Sequence, residues 1–198
     1  SLKTETNFYK EPWALTTDWM FSNYQAAWTT VDVGKYAQNS IFVVVLALAI
    51  LLVCATLLAY ALARLEFPGR NLIFGVILAC VMIPPDILII PLFMLLRDLG
   101  ILGTHLGLAL VYASGGITFA VILMRGYFIS VSKEMEEAAQ IDGAGKIRRL
   151  WSVILPLSLP GFLIVVVLQS LTYYNDLYLA MVFLRNESKY TIPVGMLG

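Results

Sequence analysis

Long apolar runs, broken at a few points by short polar stretches, dominate the pattern of this chain. Four stretches carry almost no charge and approach or exceed the roughly 20 residues that a helix needs to cross a bilayer. They run from about Asn39 to Ala63, Asn71 to Leu96, Leu106 to Met124 and Leu157 to Tyr174. The runs are continuous rather than alternating, which predicts spanning helices and not barrel strands. Pro84-Pro85 breaks the second run, Asp86 is its one charge, and Pro156 and Pro160 lead into the fourth. The expected fold is all-α, a polytopic bundle of transmembrane helices.

Composition agrees. The chain is 60% hydrophobic and 13% charged with a mean hydropathy of +0.82, against about 45–50% and about 25% in soluble domains. The formal net charge of zero gives no footprint for nucleic acid. Cys54 and Cys80 lie inside apolar runs, far from any metal-ligand spacing, and read as small hydrophobic core residues. His105, the one histidine, falls in a short predicted loop with no neighbour that would make it a base or a ligand.

The basic residues set an orientation. Arg64 and Arg70 flank one short loop, and Arg125, Lys133, Lys146, Arg148 and Arg149 crowd another. The remaining six are spread over the N-terminal stretch, the 97–105 turn and the C-terminal segment. By the positive-inside rule, residues 64–70 and 125–156 are expected in the cytoplasm and residues 1–38, 97–105 and 175–198 outside. Trp13, Trp19, Tyr24, Trp28 and Tyr36 then sit outside, with Tyr173, Tyr174 and Tyr178 near the outer interface. A chain that starts and ends outside without a leader reads as a piece of a longer protein, with at least one span preceding Ser1.

The cytoplasmic loop has its own pattern. Ser132 is the expected N-cap of a short helix with Glu134 and Glu136 in its first turn. Met135, Ala138 and Ala139 make a small apolar face, and Asp142-Gly143-Ala144-Gly145 is turn chemistry. Ile147, Leu150, Trp151 and Ile154 recur at i, i+3, i+4 and i+7, a second amphipathic helix with Arg148 and Arg149 off that face. An interfacial pair lying on headgroups would suit the second helix. It suits the first poorly, because Glu134, Glu136 and Glu137 would be repelled by an anionic leaflet.

Glu137-Ala138-Ala139, then Gly143 after three residues, then Val153, Leu155 and Pro156 follow at fixed spacing. This resembles the EAA loop of the membrane subunits of ATP-binding-cassette importers, with Val153 in a slot usually held by Ile. The stretches NYQAAW, RLEFPGR, MIPPDILIIPLFMLLRDLGILGTH and YTIPVGM are similar, in that order, to permeases of the maltose type. The resemblance implies a six-span subunit of the bacterial or archaeal inner membrane, of which this chain holds the second to the fifth spans. It implies three kinds of partner besides lipid: a second permease subunit, identical or homologous, two ATPase subunits, and an extracytoplasmic solute-binding protein. It also implies that ATP and Mg are bound by the ATPase subunits, with no cofactor, metal or catalytic residue here. The coupling residues carried over are Glu137, Ala138, Ala139, Asp142, Gly143, Leu155 and Pro156.

Candidates for the translocation path are Asp86, at a Pro-broken depth where a charge is costly, and Gln169, Tyr173 and Asp176, which share a face of the fourth run with Ser158. Static hydrogen bonding between helices would look the same. Ser114-Gly115-Gly116, with no following Lys, reads as close helix packing. The competing classes are a permease for a non-sugar solute, a secondary transporter or channel, and a membrane-embedded enzyme. The last lacks a converging set of nucleophile, base or metal ligands. The chain also contains no Gly-x-x-x-x-Gly-Lys-Ser/Thr loop for nucleotide.

Overall fold

A computed structural model describes residues 32–197 throughout and, before them, residues 9, 10, 13, 19–22, 25 and 28. Much of segment 1–38, Tyr24 included, lies outside the described residues; Trp13, Trp19 and Trp28 are exposed. Every regular element among the described residues is helical.

Helix α1, Val33–Arg64, has 32 residues; at about 1.5 Å per residue it outreaches the roughly 30 Å hydrocarbon layer. Next come α2, Arg70–Cys80, a 3₁₀ turn at Pro85–Leu88, and α3, Ile89–Asp98. Helix α4, His105–Ser130, is the second long straight helix, with 26 residues. The loop that follows carries α5, Lys133–Ile141, and α6, Lys146–Arg149. A π turn at Leu150–Ile154 and the short α7, Leu155–Leu157, lead into α8, Leu159–Asn175. The C-terminal part holds α9, Tyr178–Phe183, a 3₁₀ turn at Glu187–Lys189, and α10, Ile192–Gly195.

Among the described residues only α1 and α4 are long and apolar enough to cross a membrane unaided; two bent helix pairs bring the number of crossings to four if each pair counts as one span. The second predicted span is therefore not one rod. Its halves, Arg70–Cys80 and Pro85–Asp98, meet at 97°, because Pro85 lacks the N–H that would continue the ladder and Pro84 holds an extended ψ of 129°. The fourth is bent by 78° between Lys146–Leu157 and Leu159–Asn175. Pro156 accordingly lies before the bend, in α7, and Pro160 occupies the first turn of the spanning helix α8. The first and third runs extend beyond their predicted ends, and Arg125 still belongs to α4, so the loop begins at Val131 rather than at residue 125.

The core is the seam of α1 against α4, with α8 laid over it. Val43, Ala47, Leu51, Ala55, Ala59 and Leu62 follow one another at spacings of four or three, and each is fully buried. Leu108, Ala109, Ala113, Ala120, Val121, Met124 and Phe128 face them from α4. Lipid offers apolar side chains as good a surroundings as a core does, so this seam holds through close packing, which the alanines permit. Phe42 meets His105 at one end and Arg64 donates to the Phe128 carbonyl at 2.5 Å at the other. The two long helices therefore run parallel. Helix α8 runs back, with Gly161 against Tyr127 and Gly116 against Tyr173.

Two sequence expectations change here. Cys54 and Cys80 are free and exposed, so they belong to the outer face of the bundle and not to its core. His105 is the first residue of α4, its Nε2 3.0 Å from the Lys189 carbonyl oxygen.

The bundle gathers its loops at two opposite ends. At one end Asn39 donates to the carbonyls of Ser188 and Tyr190, both at 3.0 Å, the Ile192 amide donates to Ser40, and Lys189 donates to the Gly103 carbonyl. At the other end the residues after Val131 fold back on the ends of α1 and α4.

Candidate functional site: the loop at one end of the bundle

Helix α5 starts where predicted. The Ser132 hydroxyl accepts from the Glu134 amide, and Glu134 and Glu136 occupy the first turn. Its C-terminus closes in a Schellman arrangement: the Ala144 amide donates to the Ala139 carbonyl at 2.9 Å and the Gly143 amide to the Gln140 carbonyl at 3.0 Å. That closure puts Gly143 at φ 82°, in the left-handed region, with nothing within 4 Å of where a Cβ would stand. Within this chain glycine is needed here for backbone angle rather than for space.

Clamping this loop is a cluster that sequence spacing did not single out. Glu136, its side chain 12% exposed, faces Arg64 at 3.6 Å and Arg149 at 3.8 Å. The Arg64 guanidinium also donates to the Phe128 and Val131 carbonyls, capping the end of α4. Tyr60, one turn before Arg64, donates to the Lys146 carbonyl at 3.0 Å and reaches Glu136 at 3.4 Å. Arg149 also donates to Gln140. Four side chains thus tie α1, α4, α5 and α6 into one junction. The only sequence cue was Tyr60 and Arg64 at i, i+4 on the last turns of a span; Glu136 was hidden among three similar acids.

What remains outside the clamp is an open surface. Glu137 and Ala138 are exposed on α5 and Ala139 is half-buried; Asp142 and Gly143 are exposed in the turn. Met135, Ile141, Ile147 and Trp151 are 50%, 86%, 69% and 56% exposed. The predicted stripe of α6 is thus split: Leu150 and Ile154 are fully buried, while Ile147 and Trp151 are uncovered. The π turn that spans 150–154 keeps Leu150 and Ile154 on the bundle side. Arg149, expected off the apolar face, is turned into the Glu136 junction. Leu155 is half-buried and Pro156 exposed.

Residues 55–187 match the family described as the binding-protein-dependent transport system inner membrane component. This chain belongs to that family. It is similar to the diacetylchitobiose uptake system permease protein NgcG of Streptomyces coelicolor, 37% identical over 99% of this chain and 65% of that protein. The galactooligosaccharides transport system permease protein GanQ of Bacillus subtilis is 34% identical over 89% of this chain and 63% of its own length. Among solved structures, a bacterial ABC transporter involved in the import of the acidic polysaccharide alginate superimposes with a TM-score of 0.82 at 33% identity. That match covers 92% of this chain and 63% of the matched chain. The chain therefore spans about 65% of the length of a relative such as NgcG.

In this inner-membrane component two polar residues of α8, Gln169 and Tyr173, lie inside the bundle, while Thr172, Tyr174 and Asn175 are exposed. Gly161, Val165, Gln169 and Tyr173 recur every four residues and are buried. The Tyr173 hydroxyl donates to the Tyr112 carbonyl at 2.9 Å, and the two rings stack with centroids 4.9 Å apart. Tyr112 donates to Asp176 at 2.8 Å, and Asp176 accepts from the Ala180 amide at 3.0 Å, holding the turn between α8 and α9. Gly116 makes this approach possible, since a Cβ there would overlap the Tyr173 hydroxyl and lie 2.9 Å from Gln169 Oε1. Gly115, beside it, faces open space. Asp86 stands apart from this group, exposed in the 3₁₀ turn at the bend between α2 and α3.

Proposed function

We propose that this chain forms part of the membrane-spanning permease subunit of an ATP-driven, binding-protein-dependent importer, and that its cargo is a carbohydrate. The observation that carries the coupling role is the division of the 131–156 loop into a clamped side and an open side. The clamped side (Tyr60, Arg64, Glu136, Arg149) transmits displacement to the two long helices. The open side offers a smooth patch of Ala138, Ile141, Ile147 and Trp151 with the Glu137 carboxylate beside it. Exposed apolar residues rimmed by charge in an aqueous loop suit a protein partner better than solvent. The partner is an ATPase subunit, with a second permease subunit completing the pore and a solute-binding protein delivering cargo from outside. ATP and its Mg are held and hydrolysed by the ATPase, so this chain performs no chemistry of its own.

Carbohydrate is the favoured cargo because the similar proteins named above belong to systems for diacetylchitobiose uptake, galactooligosaccharide transport and alginate import. The basic residues of the loop end favour a cytoplasmic location for it. Asp86, at the bend of the second crossing, is a candidate for the translocation path, where freed carbonyls need water or protein. Gln169, Tyr173 and Asp176 act first as ties between helices and reach the path only where α8 and α4 part.

The test is Glu137→Ala in the assembled transporter. Uptake of labelled sugar should fall at least tenfold while the spans stay inserted and the binding protein still captures sugar. Unchanged uptake with unchanged substrate-stimulated ATP hydrolysis would overturn the coupling assignment.

A further inference from the structure

Beside the clamp lies a cleft of about 450 Å³ between the 63–70 turn and the loop helices α5 and α6. Five cations and three carboxylates line it. One carboxylate, Glu136, already serves both Arg64 and Arg149. Arg70, Lys133 and Lys146 make no ion pair among the described residues. Arg149 keeps its Nε buried without a hydrogen-bond partner. The other two carboxylates, Glu66 and Glu137, make no ion pair among the described residues, so the five cations of the cleft outnumber its three acids.

A second hollow of about 330 Å³ shares Glu66 and Arg70 with the cleft and runs past Phe67, Gly69 and Asn71 to Leu72. Leu72, Ile73 and Val76, at 72%, 42% and 56% exposure, then continue as an uncovered apolar face of α2. Arg125 holds this helix near the bundle by stacking over Phe74 at 3.9 Å. A cleft with an excess of cations, joined through Glu66 and Arg70 to a hollow that reaches Leu72 on an apolar helix face, matches a phosphodiester headgroup with acyl chains attached. Basic residues at this level attract anionic lipid.

We infer that the cleft between the 63–70 turn and the loop helices is a binding site for an anionic membrane phospholipid, its phosphate on Arg70, Lys133 and Lys146 and its acyl chains on the Leu72–Val76 face of α2. The site rests on the orientation proposed above, which puts it in the cytoplasmic leaflet. Occupied, it would brace the loop against the foot of α2 and make coupling sensitive to lipid composition.

The test uses the transporter complex purified through a tag on this chain from vesicles of equal phosphatidylglycerol and phosphatidylcholine, with retained lipid counted by native mass spectrometry. Wild type should retain phosphatidylglycerol preferentially. Arg70→Gln with Lys133→Gln should cut that preference on the order of tenfold, two cations being removed. Glu66→Gln should raise it, which separates a lost site from a misfolded one. Excess inorganic phosphate should not displace the lipid; displacement would reassign the cleft to free phosphate. Equal retention of both lipids by wild type would overturn the inference. So would loss of the ATPase from the double variant with lipid retention unchanged, since the cleft would then be a contact for that partner. Lipid retention is read without transport, so failure here leaves the Glu137→Ala result standing, and the reverse.

Discussion

Arg64, on the last turn of α1, and Glu136, in the first turn of α5, lie 3.6 Å apart with side chains 5% and 12% exposed. This contact joins a membrane-crossing helix to the loop proposed to receive force. Arg64 simultaneously caps the carbonyls that end α4, so one side chain ties α5 to the ends of both parallel helices of the core seam. Glu137, one residue on, is exposed, lines the cleft beside the clamp, and is the acid proposed to meet the partner. Adjacent acids thus have different work, one inward and one outward.

Glu136→Ala leaves two guanidiniums without their shared counter-charge, and removing one member of a largely buried pair costs about 3 kcal/mol. Hydrogen exchange should accelerate in residues 133–149 while the protection of α1 and α4 is retained. Glu137→Ala should leave exchange in the same segment unchanged. Equal effects of the two substitutions would refute the division of labour.

Gly143 sits at φ 82° with open space around it. A leucine there is penalised through the backbone, by about 1–2 kcal/mol, whereas asparagine tolerates the left-handed region better. Uptake should therefore rank wild type, then Gly143→Asn, then Gly143→Leu. A requirement based on close approach of the partner would instead damage both variants alike.

Gly116→Ala forces a methyl group into the Tyr173 hydroxyl and Gln169, and overpacking of this kind costs about 1–3 kcal/mol. Gly115→Ala meets nothing within 4 Å. Thermal unfolding of the purified complex in detergent should fall for the first variant and hold for the second. Tyr173→Phe, which loses the bond to the Tyr112 carbonyl but keeps the stacked ring, should fall between them.

Sidedness is checked with single cysteines at Ser130 and Ser188, both exposed and at opposite ends of the bundle. Cys54 and Cys80 must be removed first, because both are exposed. A membrane-impermeant maleimide added outside intact cells should label position 188 and spare position 130. The opposite result would invert the orientation and move the lipid site to the outer leaflet.

The charge-free runs, the Ser132 cap, the glycine turn at 143 and the spacing of the loop motif were legible in the sequence because each depends on neighbours within a few residues. Hydrophobic runs report that backbone must be helical in lipid, and capping and left-handed turns are local chemistry. The structure alone decided what covers each apolar face. Periodicity marks Ile147 and Leu150 as equivalent, yet Leu150 is buried and Ile147 is not. Cys54 looked like a core residue for the same reason: lipid and protein neighbours select the same side chains. The polar stripe of α8 could have faced water or a helix until Gly116 and Tyr112 were seen opposite it. The choice of Glu136 over Glu137 as the anchored acid depended on where the ends of α1 and α4 came to rest, a long-range outcome that no local spacing encodes.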